Sequence, residues 1–383
     1  MVQNGVSVVQ WLWGWFAFAV LGLFASLLVA EPAQIMPLAS KSLLLDIIHV
    51  DQRLLTVGER GHILFSDDKA NSWVQARVPV RQMLTAVHFP TPKRGWTVCH
   101  DGLIVNSIDG GVHWTLQRDG LAQQLLLNQQ KLKNLEADRK SIKLALLAAG
   151  SEADHEALVF ELEDLDLDIE DAEALMVQPP YAAPLLDVYF IDEQRGVAVG
   201  AFNTLLITND GGLNWNNASQ SLDNPDEYHL NAVTGDGEGG LWIAGEGGVL
   251  FYSSDYAASW SSLESPYPGS WFGIDYASGS GRLLLFGLRG NVFYSDDAGS
   301  SWRQSQVPDD RSLAGGGFIN KQYAVLAGSV GTLLVSEDGG ESFTARMLGS
   351  RVNLAAVTCV GDRSIAVGQG GVHVASCLGD PDE

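Results

Sequence analysis

The chain has 383 residues, with 46 Asp and Glu against 23 Lys and Arg, a formal net charge of −23. So acidic a chain lacks the basic face that nucleic-acid phosphates require, and anionic lipid headgroups repel it. A hydrophobic content of 46% excludes global disorder, and three cysteines (Cys99, Cys359, Cys377) give neither a disulfide framework nor a CxxC metal pair.

Residues 8–30 read VVQWLWGWFAFAVLGLFASLLVA, with no charge and one polar interruption, Gln10. As a helix this stretch spans roughly 34 Å, enough to cross a bilayer core of about 30 Å. Trp11, Trp13 and Trp15 cluster near one end, as an interfacial aromatic belt does. No Lys or Arg precedes Lys41, and Leu28 is a poor residue three places before a cleavage site at Ala30. An uncleaved transmembrane anchor is therefore expected.

A short motif then recurs: Ser or Thr, any residue, Asp, any, a small residue, two of any kind, and an aromatic. Its Asp and aromatic positions are Asp68 and Trp73, Asp109 and Trp114, and Asp210 and Trp215. It returns at Asp255 and Trp260, Asp297 and Trp302, and Asp338 and Phe343. The aromatics are separated by 41, 101, 45, 42 and 41 residues, so the one long gap is a period plus an insertion. Before each box lie three short apolar runs, the second ending at a glycine-rich turn. A seventh unit begins at Leu354 and stops before any box. A period near 42 residues with four short strands is that of a propeller blade. Unit seven lacks its fourth strand, and residues 33–40 have no other place. They are expected to supply the outer strand that closes the ring.

Residues 119–178 interrupt the repeat. Leu121, Leu125, Asn128, Leu132, Leu135, Arg139, Ile142, Leu146 and Ala149 alternate by four and three. Leu158, Leu162, Leu165, Ile169, Ala172 and Met176 do the same. Two antiparallel helices in a coiled coil are predicted, with Gly150 ending the first and Pro179-Pro180 stopping the second. Ser151 and Asp154 form a capping box for the second helix. The insertion carries five basic and fourteen acidic residues, and its second arm has eleven acids between Glu152 and Glu173 with no Lys or Arg. The run Asp164-x-Asp166-x-Asp168 lacks the glycine and final Glu of a calcium loop and reads as a solvated helix face. The predicted organisation is an anchor at 8–30, blades 1–2 and the closing strand in 31–118, the hairpin at 119–178, and blades 3–7 in 179–383.

The boxes resemble those of Asp-box (BNR) repeat proteins. Within that group the pattern looks most like the photosystem II assembly/stability-factor-like propellers and their bacterial relatives. The resemblance covers about residues 43–376 apart from the insertion. It implies an all-β, seven-bladed propeller in which each Asp ties its own turn and each aromatic packs between blades. The turns between strands two and three then share a face with the strand four-to-one links, and so with the hairpin. Those turns carry Glu59 and Arg60, His100 and Asp101, and Phe202 and Asn203. Further round the ring they carry Glu246, Arg289 and Gln369. They are the candidate recognition residues.

The chain has no GxSxG, no HExxH and no Arg-Ile-Pro segment of the sialidase type, so no catalytic residues, metal or cofactor are expected. His49 and His88 are read as occupying one repeat position on strand one, in core or channel packing. Cys359 and Cys377, in strands one and three of blade seven, are expected to be free thiols. The leading functional reading is a membrane-anchored accessory or scaffold protein of a bacterial inner-membrane complex, with its propeller in the periplasm. By resemblance, an exporter of the resistance-nodulation-division class is the partner named first. The alternatives are a photosystem II assembly factor and a sialidase-like glycosidase or glycan-binding propeller.

Overall fold

The computed structural model describes residues 31–348 and 351–377. The expected anchor at 8–30 lies outside them. Among the described residues no helix is long and apolar enough to cross a membrane. Seven antiparallel sheets follow one another along the chain, at 44–75, 84–118, 185–217, 230–262, 271–304, 313–347 and 354–376. They fit the seven blades of a propeller. The first strand of each blade neighbours the first strands of the blades before and after, and that of blade 7 neighbours that of blade 1. Each first strand has a bulge near its start, which bends it toward the common axis. Second strands such as Gly95–Cys99, Gly196–Gly200 and Leu241–Gly245 are buried along their whole length, which explains their largely apolar character.

The core is a ring of interfaces. Trp215 packs into a cluster shared by blades 2 and 3, Trp260 into one shared by blades 3 and 4, and Trp302 into one shared by blades 4 and 5. Phe343 does the same between blades 5 and 6, and Trp73 between blades 7 and 1. Each box thereby does two jobs. In the box of blade 6 the Asp338 carboxylate accepts from Ser336 Oγ (2.7 Å), Ser342 N (3.0 Å) and Ser342 Oγ (2.6 Å). The same pattern of bonds recurs at Asp68, Asp255 and Asp297, while the second hydroxyl is replaced by Asn214 Nδ2 at Asp210 and by His113 Nδ1 at Asp109. These bonds hold the carboxylates below their ordinary range, Asp68 to about 2.

The ring does not close as the sequence suggested. Residues 33–40 form no strand in blade 7, which has three strands among the described residues. They run beside blade 1 instead: Ala33 N donates to Val78 O (3.0 Å) and Met36 N to Gln75 Oε1 (2.8 Å). Pro32 and Pro37 offer no N–H to a ladder, and the chain turns into a short 3-10 helix at Ala39–Lys41. Ala39 inserts between blades 7 and 1. Closure is made by that apolar cluster and by Arg363 at the start of the second strand of blade 7. Its guanidinium donates to Lys69 O (2.7 Å) and Asn71 Oδ1 (3.0 Å) in the box turn of blade 1. Arg53 to Gly110 O and Arg282 to Gly339 O repeat this bond between other neighbouring blades.

Cys359 and Cys377 are joined in a disulfide, with Cα atoms 6.1 Å apart. Cys377 lies just past the end of the third strand, where its N–H donates to Asp362 O in the turn between strands one and two. The bridge passes around the start of the second strand at Arg363, so no strand stands between the thiols. The register of the first strands also corrects the histidine pairing. Ile48, not His49, aligns with His88, because Ile48 faces Leu55 and His88 faces Trp96 at corresponding rungs. One residue of offset reverses the face: His49 is exposed, whereas His88 is sequestered against Tyr189.

The insertion forms α1 (Gly120–Ala148) and α2 (Glu152–Val177), packed against each other. Asp119 caps α1 by accepting from Ala122 N, and Ser151 caps α2 by accepting from Asp154 N. The stripe positions expected from the sequence are the half-buried or buried ones along both helices. Asp164 and Asp168 lie exposed along α2, and Asp166 pairs with Arg139 across the hairpin at 3.5 Å.

Candidate recognition site

The turns between strands two and three are built alike. Most are a single 3-10 turn whose central residue has positive φ: Arg60 (57°), Asp101 (62°), Arg289 (57°) and Val330 (59°). In blade 3, Phe202 (53°) and Asn203 (56°) take that conformation in succession. Each turn is stitched to a four-to-one link. His100 N donates to Met83 O, Glu246 N to His229 O, Ser329 N to Ser312 O and Gln369 N to Asn353 O. The hairpin rises from the same face. Gly120 at its root is buried against the Asp101–Gly102 turn, and the Arg118 guanidinium donates to Gly102 O. A side chain at Gly120 would collide with the Asp101 carbonyl, so glycine is required there.

The nine candidate residues therefore share one face but not one role. Four serve the scaffold. The Glu59 carboxylate accepts from Leu43 N (3.1 Å) and that of Glu246 from His229 N (3.3 Å). Gln369 Oε1 accepts from Asn353 N, and Asn203 is buried between Ser219 O and Asn224. Asp101 is half-buried beside the hairpin root. Arg60, His100, Phe202 and Arg289 remain exposed, spread over four blades rather than gathered in one place.

What the structure does gather is an aromatic group around Phe202. Its ring lies 4.8 Å from His229 and 6.4 Å from Tyr181, edge-on to both. The Phe202 N–H donates to His229 Nδ1 (3.1 Å), and His229 in turn faces Glu246 at 3.8 Å. Tyr181 and Phe202 are 63% and 52% exposed, large apolar surfaces to leave in water on a chain this acidic. A left-handed conformation costs a phenylalanine about 1–2 kcal/mol, and the surrounding bonds hold it there. Tyr181 and His229 were not selected from the sequence. Both sit in four-to-one links, which share the turn face, and that placement was the available signal.

A cavity of about 490 Å³ runs down the axis, lined by first-strand residues of all seven blades, among them Asp46, Thr85, Asp187 and Asn231. Asp46 and Asp187 occupy the same repeat position, and Asp275 sits two residues further along its own strand. Each carboxylate bridges blades by accepting from the next first strand: Asp46 from Val87 N, Asp187 from Val233 N and Asp275 from Phe318 N. Burial raises these acids to about 6, 7 and 6 respectively, against the lowering effect of those bonds. Burial likewise lowers His88 to about 4, leaving it neutral with Nδ1 free to accept from Phe190 N. These acids are committed to holding blades together. Among the described residues no three His, Cys, Asp or Glu side chains are placed to hold a metal ion.

Repeated boxes on a ring of seven sheets define the class: the chain is a β-propeller built on Asp-box repeats, and part of it is similar to the photosystem II assembly-factor propellers. The family model described as photosynthesis system II assembly factor YCF48 matches residues 170–316. The photosystem II assembly lipoprotein Ycf48 of Synechococcus sp. (strain CC9902) is 40% identical over 87 residues, 22% of this chain and 26% of that protein. The chloroplastic photosystem II stability/assembly factor HCF136 of Arabidopsis thaliana is 37% identical over 91 residues, 22% of each chain. The chain thus matches about a quarter of the length of these relatives. A solved structure of YCF48 bound to D1 peptide superposes with a TM-score of 0.60 at 14% identity, covering 92% of this chain and 98% of that one. YCF48 from Cyanidioschyzon merolae gives 0.58 at 15%, covering 90% and 98%. At those identities the superpositions establish the fold.

Proposed function

We propose that this chain is a non-catalytic assembly factor whose turn face holds a segment of a photosystem II membrane protein. The observation that carries the reading is the Tyr181–Phe202–His229 group, an exposed aromatic surface fixed by a costly backbone conformation. Rigid aromatic anchors bind protein segments with little loss of side-chain entropy. The group lies within the stretch matched by the assembly-factor model. The matched relatives favour this role over an exporter accessory role, and a YCF48 is known bound to D1 peptide. The propeller is proposed to sit on an oxidising side of a membrane, the periplasm in a bacterium, tethered through residues 8–30. The Cys359–Cys377 disulfide supports that compartment.

The test is binding of a synthetic D1 peptide to the full chain in mild detergent, followed by fluorescence anisotropy. Phe202→Ala should weaken binding by about tenfold or more while leaving the circular dichroism spectrum unchanged. Unchanged affinity in a folded variant would overturn the assignment of this group.

A further inference from the structure

We propose that the groove between α1 and α2 receives a basic amphipathic helix from a partner protein, independently of what the turn face binds. The groove measures about 430 Å³. Ile142 and Leu165 line its floor, and Asp138, Glu161, Asp164 and Asp168 stand around them. None of the four carboxylates has a cationic partner among the described residues; Arg139, the cation nearest in sequence, is engaged with Asp166. The floor residues belong to the stripe that joins the two helices, yet Ile142 and Leu165 are only half-buried by that pairing. Two helices leave such a stripe open on one side, where a third helix completes the burial. Nearer the tip, Leu144 and Phe160 are 59% and 66% exposed, so the hairpin carries more apolar surface than its own pairing uses.

Charge selects the occupant. The insertion holds fourteen acids against five basic residues, so a second copy of the hairpin is repelled, as is an anionic bilayer. A helix with an apolar stripe flanked by Lys or Arg satisfies both the floor and the rim. It would lie along the hairpin as the third member of a bundle, in the helix-in-groove manner. The propeller would then hold one segment on its turn face and a second through this arm.

The probe is a designed helical peptide of about eighteen residues with a leucine stripe and flanking lysines, long enough to span several turns. Its control keeps the stripe and replaces every lysine by glutamate. The full chain in mild detergent should bind the lysine peptide about tenfold more tightly than the glutamate one, with the difference shrinking in 0.5 M salt, roughly the regime where surface charges are screened. Neutralising the rim (D138N, E161Q, D164N and D168N together) should remove about that factor while preserving the helical signal. As a second reading, Phe202→Ala should leave this binding unchanged, which separates the groove from the turn face. Equal affinity for the two peptides, or unaltered binding to the rim variant, would overturn the proposal. So would concentration-dependent dimerisation that buries the hairpin, or binding to anionic vesicles abolished by hairpin mutations.

Discussion

Reduction of the Cys359–Cys377 disulfide should cost a predictable amount of stability. The bridge closes a loop of 18 residues within blade 7. Loss of loop-closure entropy on cross-linking a segment of that length corresponds to about 3 kcal/mol of stabilisation. Unfolding entropy near 2.1 cal/mol/K per residue, over roughly 350 residues, gives about 0.7 kcal/mol/K, so Tm should fall by about 4 °C on reduction. Differential scanning calorimetry with and without dithiothreitol reads this directly. The C359A/C377A variant should show no further response to reductant. Thiol titration in denaturant supplies the chemical check: the oxidised chain should report one thiol, that of Cys99, and the reduced chain three. Three thiols before reduction would refute the bridge. A Tm insensitive to reduction, despite one thiol beforehand, would refute the predicted stabilisation by the bridge.

Three further outcomes follow from the same structure. Asp46, Asp187 and Asp275 have raised folded-state pKa values, so their protonated forms favour folding, and that contribution is lost as pH rises through about 6 to 7. The box acids are lowered, so their contribution is lost as pH falls below the usual carboxylate range. Urea denaturation should therefore show maximum stability near about pH 4, with a decline that is complete by about pH 7, and Asp187→Asn should flatten that decline. A maximum at pH 8 would contradict this. Arg363→Ala removes the bonds from blade 7 to the box turn of blade 1 and should cost about 1 kcal/mol, discounted for exposure, with faster proteolysis at the seam. Asp338→Ala removes the acceptor for both Ser336 and Ser342 and should cost about 1–2 kcal/mol, with Asp338→Asn losing less. Equal stability of wild type and Asp338→Ala in urea would show that the box bonds are replaced by water without loss.

The propeller was legible because each box must repeat Asp, a small residue and an aromatic at fixed spacing to tie its turn and fill the gap between blades. The hairpin was legible for a similar reason, since its stripe residues are those each helix turns toward the other. What escaped the sequence depended on where chain ends and registers meet. Residues 33–40 are the one segment left without a place when the repeats are counted, but Pro32 and Pro37 deny them the ladder, and the apolar cluster around Ala39 with Arg363 closes the ring instead. The disulfide escaped because Cys377 is placed by a backbone bond to Asp362 beyond the end of a strand, a position that spacing alone does not reveal. His49 and His88 were misaligned by one residue, which in a strand exchanges inside for outside. The candidate turns share one face with the hairpin, but the aromatic side chains that meet Phe202 there, Tyr181 and His229, come from links whose length varies between blades.

The central claim is that the turn face around Phe202 is where a protein segment docks. Amide hydrogen exchange on the full chain, with and without a saturating synthetic D1 peptide, tests it most directly. The account predicts slowed exchange in residues 178–183, 200–204 and 226–230, with the box turns around Asp255 and Asp297 unchanged. Protection confined to the box turns, or no protection at saturating peptide, would contradict it.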